Sequence, residues 1–379
     1  MANSGQGHLP YAISHCRMAL LLTLALRAAY SCFAALFGRF LPVNWNLIHS
    51  NALTETLPPP DHTAHYLLLG VWERFDTLWY LHIAGYGYDR PDAIVFYPLY
   101  PFLVRTFSWL VQPMAAALLI STVAAFFFFW GLQNLQCLDF DSDQIRKSLI
   151  LYAVWPSSFI FFAGYPESLL LAFMVWALYF GRKGNWALSV VLAIGAEMTK
   201  AVGMLIAIPL LIMAARRRTA NAFSVLLTLL GALAFPAWSR WSGHGALNSA
   251  YEHYWRTRTV APWITLWVAT EHLLHRPDAL LILNLVFLIV ICLLVGLCRT
   301  RLEYKLFGWA AILLVLCKDT SPPLQSMMRY VLVVFPAFIG AAQILKTTLW
   351  KPRFWLVCTV LFIMNLALMW LFLGWSLVL

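Results

Sequence analysis

Apolar residues recur in long runs with few charges almost to the last residue of the chain. A spanning helix needs about 20 of them. The runs predict spans over roughly 18–39, 113–134, 148–163, 167–181, 187–200, 201–215, 221–240, 279–298, 304–317, 329–345 and 354–375. Several are short, above all the two that flank Lys200, which points to half-length or sharply bent helices there. The first run carries Arg27 and no small-residue cleavage pattern follows it, so it is expected to stay as an anchor. The reading is an all-α polytopic membrane protein of about eleven transmembrane helices, one domain over 1–379, with long polar connections at 41–112 and 241–278.

Charge orients the chain. Every second short connection is basic: Arg146 and Lys147, Arg182 and Lys183, Arg216 to Arg218, Arg299 with Arg301 and Lys305, then Lys346, Lys351 and Arg353. The positive-inside rule assigns these to the cytoplasm. The alternate connections hold most of the carboxylates, so the chemistry is expected on the extracytoplasmic side. With 62% hydrophobic and 11% charged residues the chain is far from a soluble globular domain. The net charge of +10 sits in the orienting clusters, which argues against nucleic acid as a partner. Seven cysteines form no C-x-x-C pair and lie in or beside apolar runs, as packing residues do.

The segment Val71 to Ala84 has helical spacing that puts Glu73, Asp76 and Tyr80 on one face. Such a helix would lie in the membrane interface, where a carboxylate is a candidate general base; a solvated amphipathic helix is the plain alternative. Glu167, after Tyr165 and Pro166, either belongs to a site or favours the N-terminus of the next helix. Glu197 and Lys200 stand at i, i+3 and can pair, as a structural ion pair or as part of a phosphate site. The second outer loop mixes Tyr251, Glu252, His253, Tyr254, Trp255 and Arg256, and Lys318, Asp319, Arg329 and Tyr330 stand at the mouth of a late span. Arginine's planar fork suits phosphate, although any one of these cations also serves as a headgroup anchor.

Two patterns are set aside. Asp139-Phe140-Asp141-Ser142-Asp143 starts like a calcium loop, but Gln144 and Ile150 stand where glycine and glutamate are needed. It also looks like the Asp-x-Asp of sugar-nucleotide transferases, yet falls on the cytoplasmic side. His272 and His275 have no evident third ligand, so no metal is expected.

The run Arg74-Phe75-Asp76, Ile83-Ala84-Gly85-Tyr86-Gly87-Tyr88 and Val95-Phe96-Tyr97-Pro98-Leu99-Tyr100-Pro101 resembles the first-loop signature of the GPI mannosyltransferase 2 family. Further along, Trp155-Pro156-Ser157-Ser158 with Gly164-Tyr165-Pro166-Glu167-Ser168-Leu169, then Thr199 to Gly203, then Met328-Arg329-Tyr330 with Phe335-Pro336, are similar to its later segments in the same order. Lys200 replaces an arginine and Ala201-Val202 replace Ser-Asn, which leaves the acceptor open. The resemblance implies the GT-C membrane glycosyltransferase fold, a catalytic aspartate in the first outer loop, a polyprenyl- or dolichyl-phosphate mannose donor, and no cofactor.

Nucleotide sugars are made in the cytoplasm and do not cross a bilayer unaided, so an outward-facing transferase needs its sugar already on lipid. A prenyl tail is held by burial at about 0.8 kcal/mol per CH₂. The expectation is therefore Asp76 as catalytic base, Arg74, Lys200 and Arg329 on the donor phosphate, and Glu73, Tyr80, Tyr165, Glu167, His253, Arg256 and Tyr330 as substrate-binding residues. The acceptor is expected to be a lipid or glycan. A transporter or lipid flippase is the rival class, disfavoured by the absence of a convincing internal repeat. The kinship suggests the endoplasmic reticulum, but the short loops suit a bacterial plasma membrane better.

Overall fold

The structure, a computed structural model, describes residues 8–42, 44, 53, 63–217, 220–346 and 351–376. Most of 43–62 of the expected first loop, and Arg218, lie outside the described residues. Among those described the chain is built from seventeen α-helices, α1 (His8–Phe37), α2 (Ala64–Leu68), α3 (Asp76–Tyr86), α4 (Leu99–Phe107), α5 (Pro113–Gln136), α6 (Ser142–Ala153), α7 (Glu167–Lys183) and α8 (Trp186–Thr199) forming the first half. The second half comprises α9 (Ala207–Arg217), α10 (Thr228–Trp241), α11 (Leu247–His253), α12 (Pro262–His275), α13 (Ala279–Leu297), α14 (Leu302–Leu316), α15 (Met327–Tyr330), α16 (Phe335–Lys346) and α17 (Phe354–Leu373). Among the described residues the strands form one antiparallel pair of two residues each, β1 (Arg258–Thr259) on β2 (Lys318–Asp319), with Thr259 opposite Lys318.

Among the described residues five helices are long and apolar enough to cross a membrane: Cys16–Phe40, Pro113–Gln136, Phe223–Trp241, Ala279–Leu297 and Phe354–Leu373. A sixth arises if Met327–Val333 and Phe335–Lys346, bent by 83° at their junction, count as one span. The other expected spans fall on shorter helices, so helix length alone does not reach eleven. The expected span at 148–163 is interrupted: α6 stops at Ala153, and Pro156, which has no N–H to donate, is followed by a 3-10 turn over Ser158–Phe162. Asn365 on α17 donates to the Trp155 carbonyl at 2.6 Å and to Ser158 Oγ at 2.9 Å, satisfying that broken stretch. Around Lys200 the chain leaves α8, passes through a 3-10 segment over Ala201–Ile206 and resumes as α9, the bent geometry expected there. Arg27, inside the first apolar run, donates to the Phe162 carbonyl at 2.7 Å and so is not left unpaired.

The core is α7, packed against α5 on one side and α8 on the other, with α1 outside α5. These helices give the molecule two chemically distinct ends. α7 starts at Glu167 and ends at Arg182 and Lys183, 17 residues or about 25 Å at 1.5 Å per residue. At its far end Arg182 grips Asp139 bidentately at 2.7 and 3.0 Å. Arg216 and Arg301 hold the buried Glu303 near the start of α14, and Lys346 at the end of α16 pairs with Asp141. The opposite ends of the same helices carry Glu167, Lys200, Lys318 and, just before α16, Arg329. The Asp139–Asp143 cluster is thereby used up: Asp141 caps α6 by accepting from Gln144 N, and Asp143 pairs with Arg146 and Lys147.

Candidate active site

Asp76 is the first residue of α3. The single helix expected over Val71–Ala84 is broken before it, because Phe75 sits at φ 47°, ψ −117°. That backbone is unfavourable for a residue with a Cβ, and such conformations persist where surrounding packing over-determines them. Here the Phe75 ring packs on Phe372 and Trp375, with centroids 5.5 and 4.7 Å away. Arg74 anchors the other side. Its Nε donates to the Leu373 carbonyl at 2.7 Å, Nη1 to the carbonyls of Gly70 and Glu73 at 3.0 Å, and Nη2 to Tyr66 Oη at 2.9 Å. The buried Arg74 guanidinium, expected from sequence at the donor phosphate, places its donors on three backbone carbonyls and on Tyr66 Oη. The break also detaches Glu73 from the face of Asp76 and Tyr80.

From Asp76 a chain of charge runs inward. Arg329 Nη1 donates to Asp76 Oδ2 at 2.5 Å, and Arg329 Nε lies 3.4 Å from Glu167 Oε1. Lys200 Nζ donates to the same Glu167 oxygen at 2.5 Å. The expected Glu197–Lys200 pair does not form. Lys200 leaves the helix in an extended conformation, so i, i+3 spacing no longer applies, and Glu197 points at α10, where Gly231 leaves room for it. Tyr165 lies behind Asp76: its hydroxyl accepts from the Asp76 N–H at 3.3 Å and its ring lies 5.3 Å from the Arg329 guanidinium. Ser121 Oγ donates to the Tyr165 carbonyl at 2.9 Å and Thr77 Oγ1 to the Ala163 carbonyl at 3.1 Å, so α5, α3 and the turn before α7 are stitched together.

Three cations surround one ring. Lys318 Nζ, the Arg329 guanidinium and Lys200 Nζ lie 4.4, 5.2 and 5.3 Å from the centre of Tyr330, within cation–π range.

These groups line a cavity of about 320 Å³. Asp76, Tyr80, Glu167, Lys200, Arg329 and Tyr330 face it, so six of the eleven residues expected from sequence meet in one space. Glu167 Oε2 is buried without a hydrogen-bond partner among the described residues. Burial pushes the Tyr80 and Tyr251 phenols above the ordinary tyrosine range, so both remain hydroxyl donors. Apolar side chains also line the cavity: Ala311, Leu314 and Val315 form an apolar wall from α14, and Val202 and Val333 add to the lining.

Glu73, Arg74, His253 and Arg256 do not line the cavity. From the same loop as His253 and Arg256 the cavity is lined instead by Asn248, Tyr251, Glu252 and Trp255. Those four follow i, i+3, i+4 and i+7 spacing, the signal that would have picked the correct face.

Fold and composition together make this an all-α integral membrane protein with a charged cavity at one end of its helices. No protein-family model matches the chain. Over 159 residues it is 26% identical to GPI mannosyltransferase 2 of Drosophila melanogaster, an alignment covering 35% of this chain and 35% of that protein. This is a distant relationship to that family.

Proposed function

We propose that the chain is a membrane glycosyltransferase of the GT-C type. It moves a hexose, mannose by its kinship, from a polyprenyl- or dolichyl-phosphate carrier to a lipid-linked or glycan acceptor on the extracytoplasmic side. The observation that supports this reading is the mixed lining of the cavity: a carboxylate held by an arginine, together with apolar side chains, among them Ala311, Leu314 and Val315 of α14. A sugar on a greasy carrier is the substrate that needs both. The basic ends of the helices, about 25 Å from the cavity along α7, support its outward orientation under the positive-inside rule.

In the proposed step the acceptor hydroxyl oxygen attacks the anomeric carbon and its proton passes to Asp76. The bond from that carbon to the carrier phosphate breaks with its electron pair going to the phosphate oxygen, and configuration inverts. Arg329 and Lys200 stabilise the developing negative charge. The free Oε2 of Glu167 accepts from a sugar hydroxyl, and Tyr165 positions Asp76 through its backbone.

The test is Asp76→Asn in membranes supplied with prenyl-phosphate-linked mannose. Asparagine keeps an acceptor for Arg329 but is not a base, so transfer should fall about 10²–10⁴-fold with the chain still folded. Transfer near the wild-type rate would remove Asp76 from the base role.

A further inference from the structure

Two of the three cations around Tyr330 are already matched to carboxylates, Arg329 by Asp76 and Glu167, and Lys200 by Glu167. Lys318 is different. It lines the cavity and contacts the rings of Tyr330 and Tyr251 at 4.4 and 5.8 Å, yet forms no ion pair among the described residues. Glu252 shares the cavity without pairing with it.

The backbone of Lys318 is fixed from several directions. It pairs with Thr259 in the β1–β2 ribbon, Val260 N donates to the neighbouring Cys317 carbonyl at 2.9 Å, and Thr265 Oγ1 donates to the Lys318 carbonyl at 3.3 Å. A lysine held in place, facing a cavity and forming no ion pair with a carboxylate among the described residues is prepared for an anion from outside the chain. Its position in the sequence says which kind. Leu314 and Val315, on the apolar wall, stand just before it at the end of α14. A tail lying along that wall ends its anionic head at Lys318.

We infer that Lys318 forms a further contact for the phosphate of a prenyl-phosphate carrier, beside Arg329 and Lys200 around the Tyr330 ring. The inference rests on the proposed transfer reaction and adds a charge argument to it. The donor is a phosphodiester with one negative charge. When the anomeric C–O bond breaks, the departing carrier is a phosphomonoester with about −1.5 to −2 at pH 7. The extra charge appears where Lys318 has no internal carboxylate to compete for it, so Lys318 favours the leaving group over the bound donor.

The full chain in detergent is titrated with farnesyl phosphate, farnesol and inorganic phosphate, with binding followed by thermophoresis. Farnesyl phosphate should bind at least about tenfold more tightly than farnesol or inorganic phosphate, because it supplies both tail and charge. Lys318→Gln should weaken farnesyl phosphate about tenfold or more and leave farnesol unchanged, while Lys318→Arg keeps most of the preference. Lys318→Met, which retains an apolar stem against Tyr330, gives the same reading should the glutamine variant misfold. If both neutral variants bind farnesyl phosphate as the wild type does, the Lys318 subsite is wrong and the Asp76 reading stands on its own assay. If the wild type binds farnesol as well as farnesyl phosphate, the lipid-phosphate donor fails together with the subsite.

Discussion

Arg329 donates to Asp76 at 2.5 Å across 253 positions of sequence, joining the start of α3 to the segment before α16. The arginine is 5% exposed in its side chain and the aspartate 19%, so the pair sits at the cavity edge with its cation turned inward. Ser157 Oγ donates to the Met328 carbonyl at 2.7 Å and fixes the backbone that carries the arginine. The placement of Asp76 and structural closure therefore depend on the same contact.

Removing one member of a buried ion pair leaves the other charge without a partner, at about 3–5 kcal/mol. Arg329→Gln exposes two carboxylates, Asp76 and Glu167, to that penalty. It is expected to lower thermal stability more than Asp76→Asn does, and adding Asp76→Asn to Arg329→Gln should restore part of the loss. Unfolding of the four proteins in detergent forms the cycle, and strictly additive shifts would show that the two residues are not coupled.

Phe75 sets two effects against each other. Its backbone conformation stores about 1–3 kcal/mol, while burying its ring between Phe372 and Trp375 contributes about 3–5 kcal/mol. Packing is the larger, so both Phe75→Ala and Phe75→Gly should destabilise. Their order is the informative part. Glycine normally ranks about 0.5–1 kcal/mol below alanine, but at φ 47° it relieves strain that alanine retains. Phe75→Gly is expected to melt above Phe75→Ala, and the reverse order would place the strain elsewhere.

Gly203 lets the chain double back beneath Lys200. A Cβ there would stand 2.3 Å from the Ala196 carbonyl oxygen and 2.8 Å from the Glu197 nitrogen, which are backbone atoms with no freedom to turn aside. Gly203→Ala therefore has to move the Lys200 segment, at about 1–3 kcal/mol. Because Lys200 reaches Glu167 from this turn, the variant should lose transfer activity out of proportion to its loss of melting temperature. A change in stability alone would separate the turn from the site.

Some of this architecture is readable from hydropathy because one physical quantity decides it. The expected spans at 113–134, 279–298 and 354–375 correspond to Pro113–Gln136, Ala279–Leu297 and Phe354–Leu373, where an unbroken apolar run leaves helix as the one state that satisfies the backbone in lipid. Hydropathy does not say where a long side chain turns. Lys200 meets Glu167 rather than Glu197 because the helix ends one residue before it, and Arg74 is drawn away by the Leu373 carbonyl at the end of α17, almost 300 positions on. His253 and Arg256 carry the chemistry expected of a site but do not line the cavity, whereas the quieter Asn248 and Tyr251 do. Residue type points to the segment, and helical phase selects the face.

Glu73 gives a test in which pH separates structure from chemistry. Its carboxyl is half-buried at the break before α3, and burial pushes its pKa above the ordinary glutamate value, against the smaller opposing pull of Arg74. A carboxyl raised in the folded state is ionised first in the unfolded chain, whose value is about 4.3. Its penalty is therefore absent below that pH, grows as pH rises through the unfolded value, and is complete above the folded one. Glu73→Gln should raise the melting temperature at neutral pH, and the gain should vanish as pH falls below about 4.3. Glu73 does not line the cavity, so mannose transfer by this variant should match the wild type. A stabilised but inactive Glu73→Gln protein would return Glu73 to the site from which the helix break removed it.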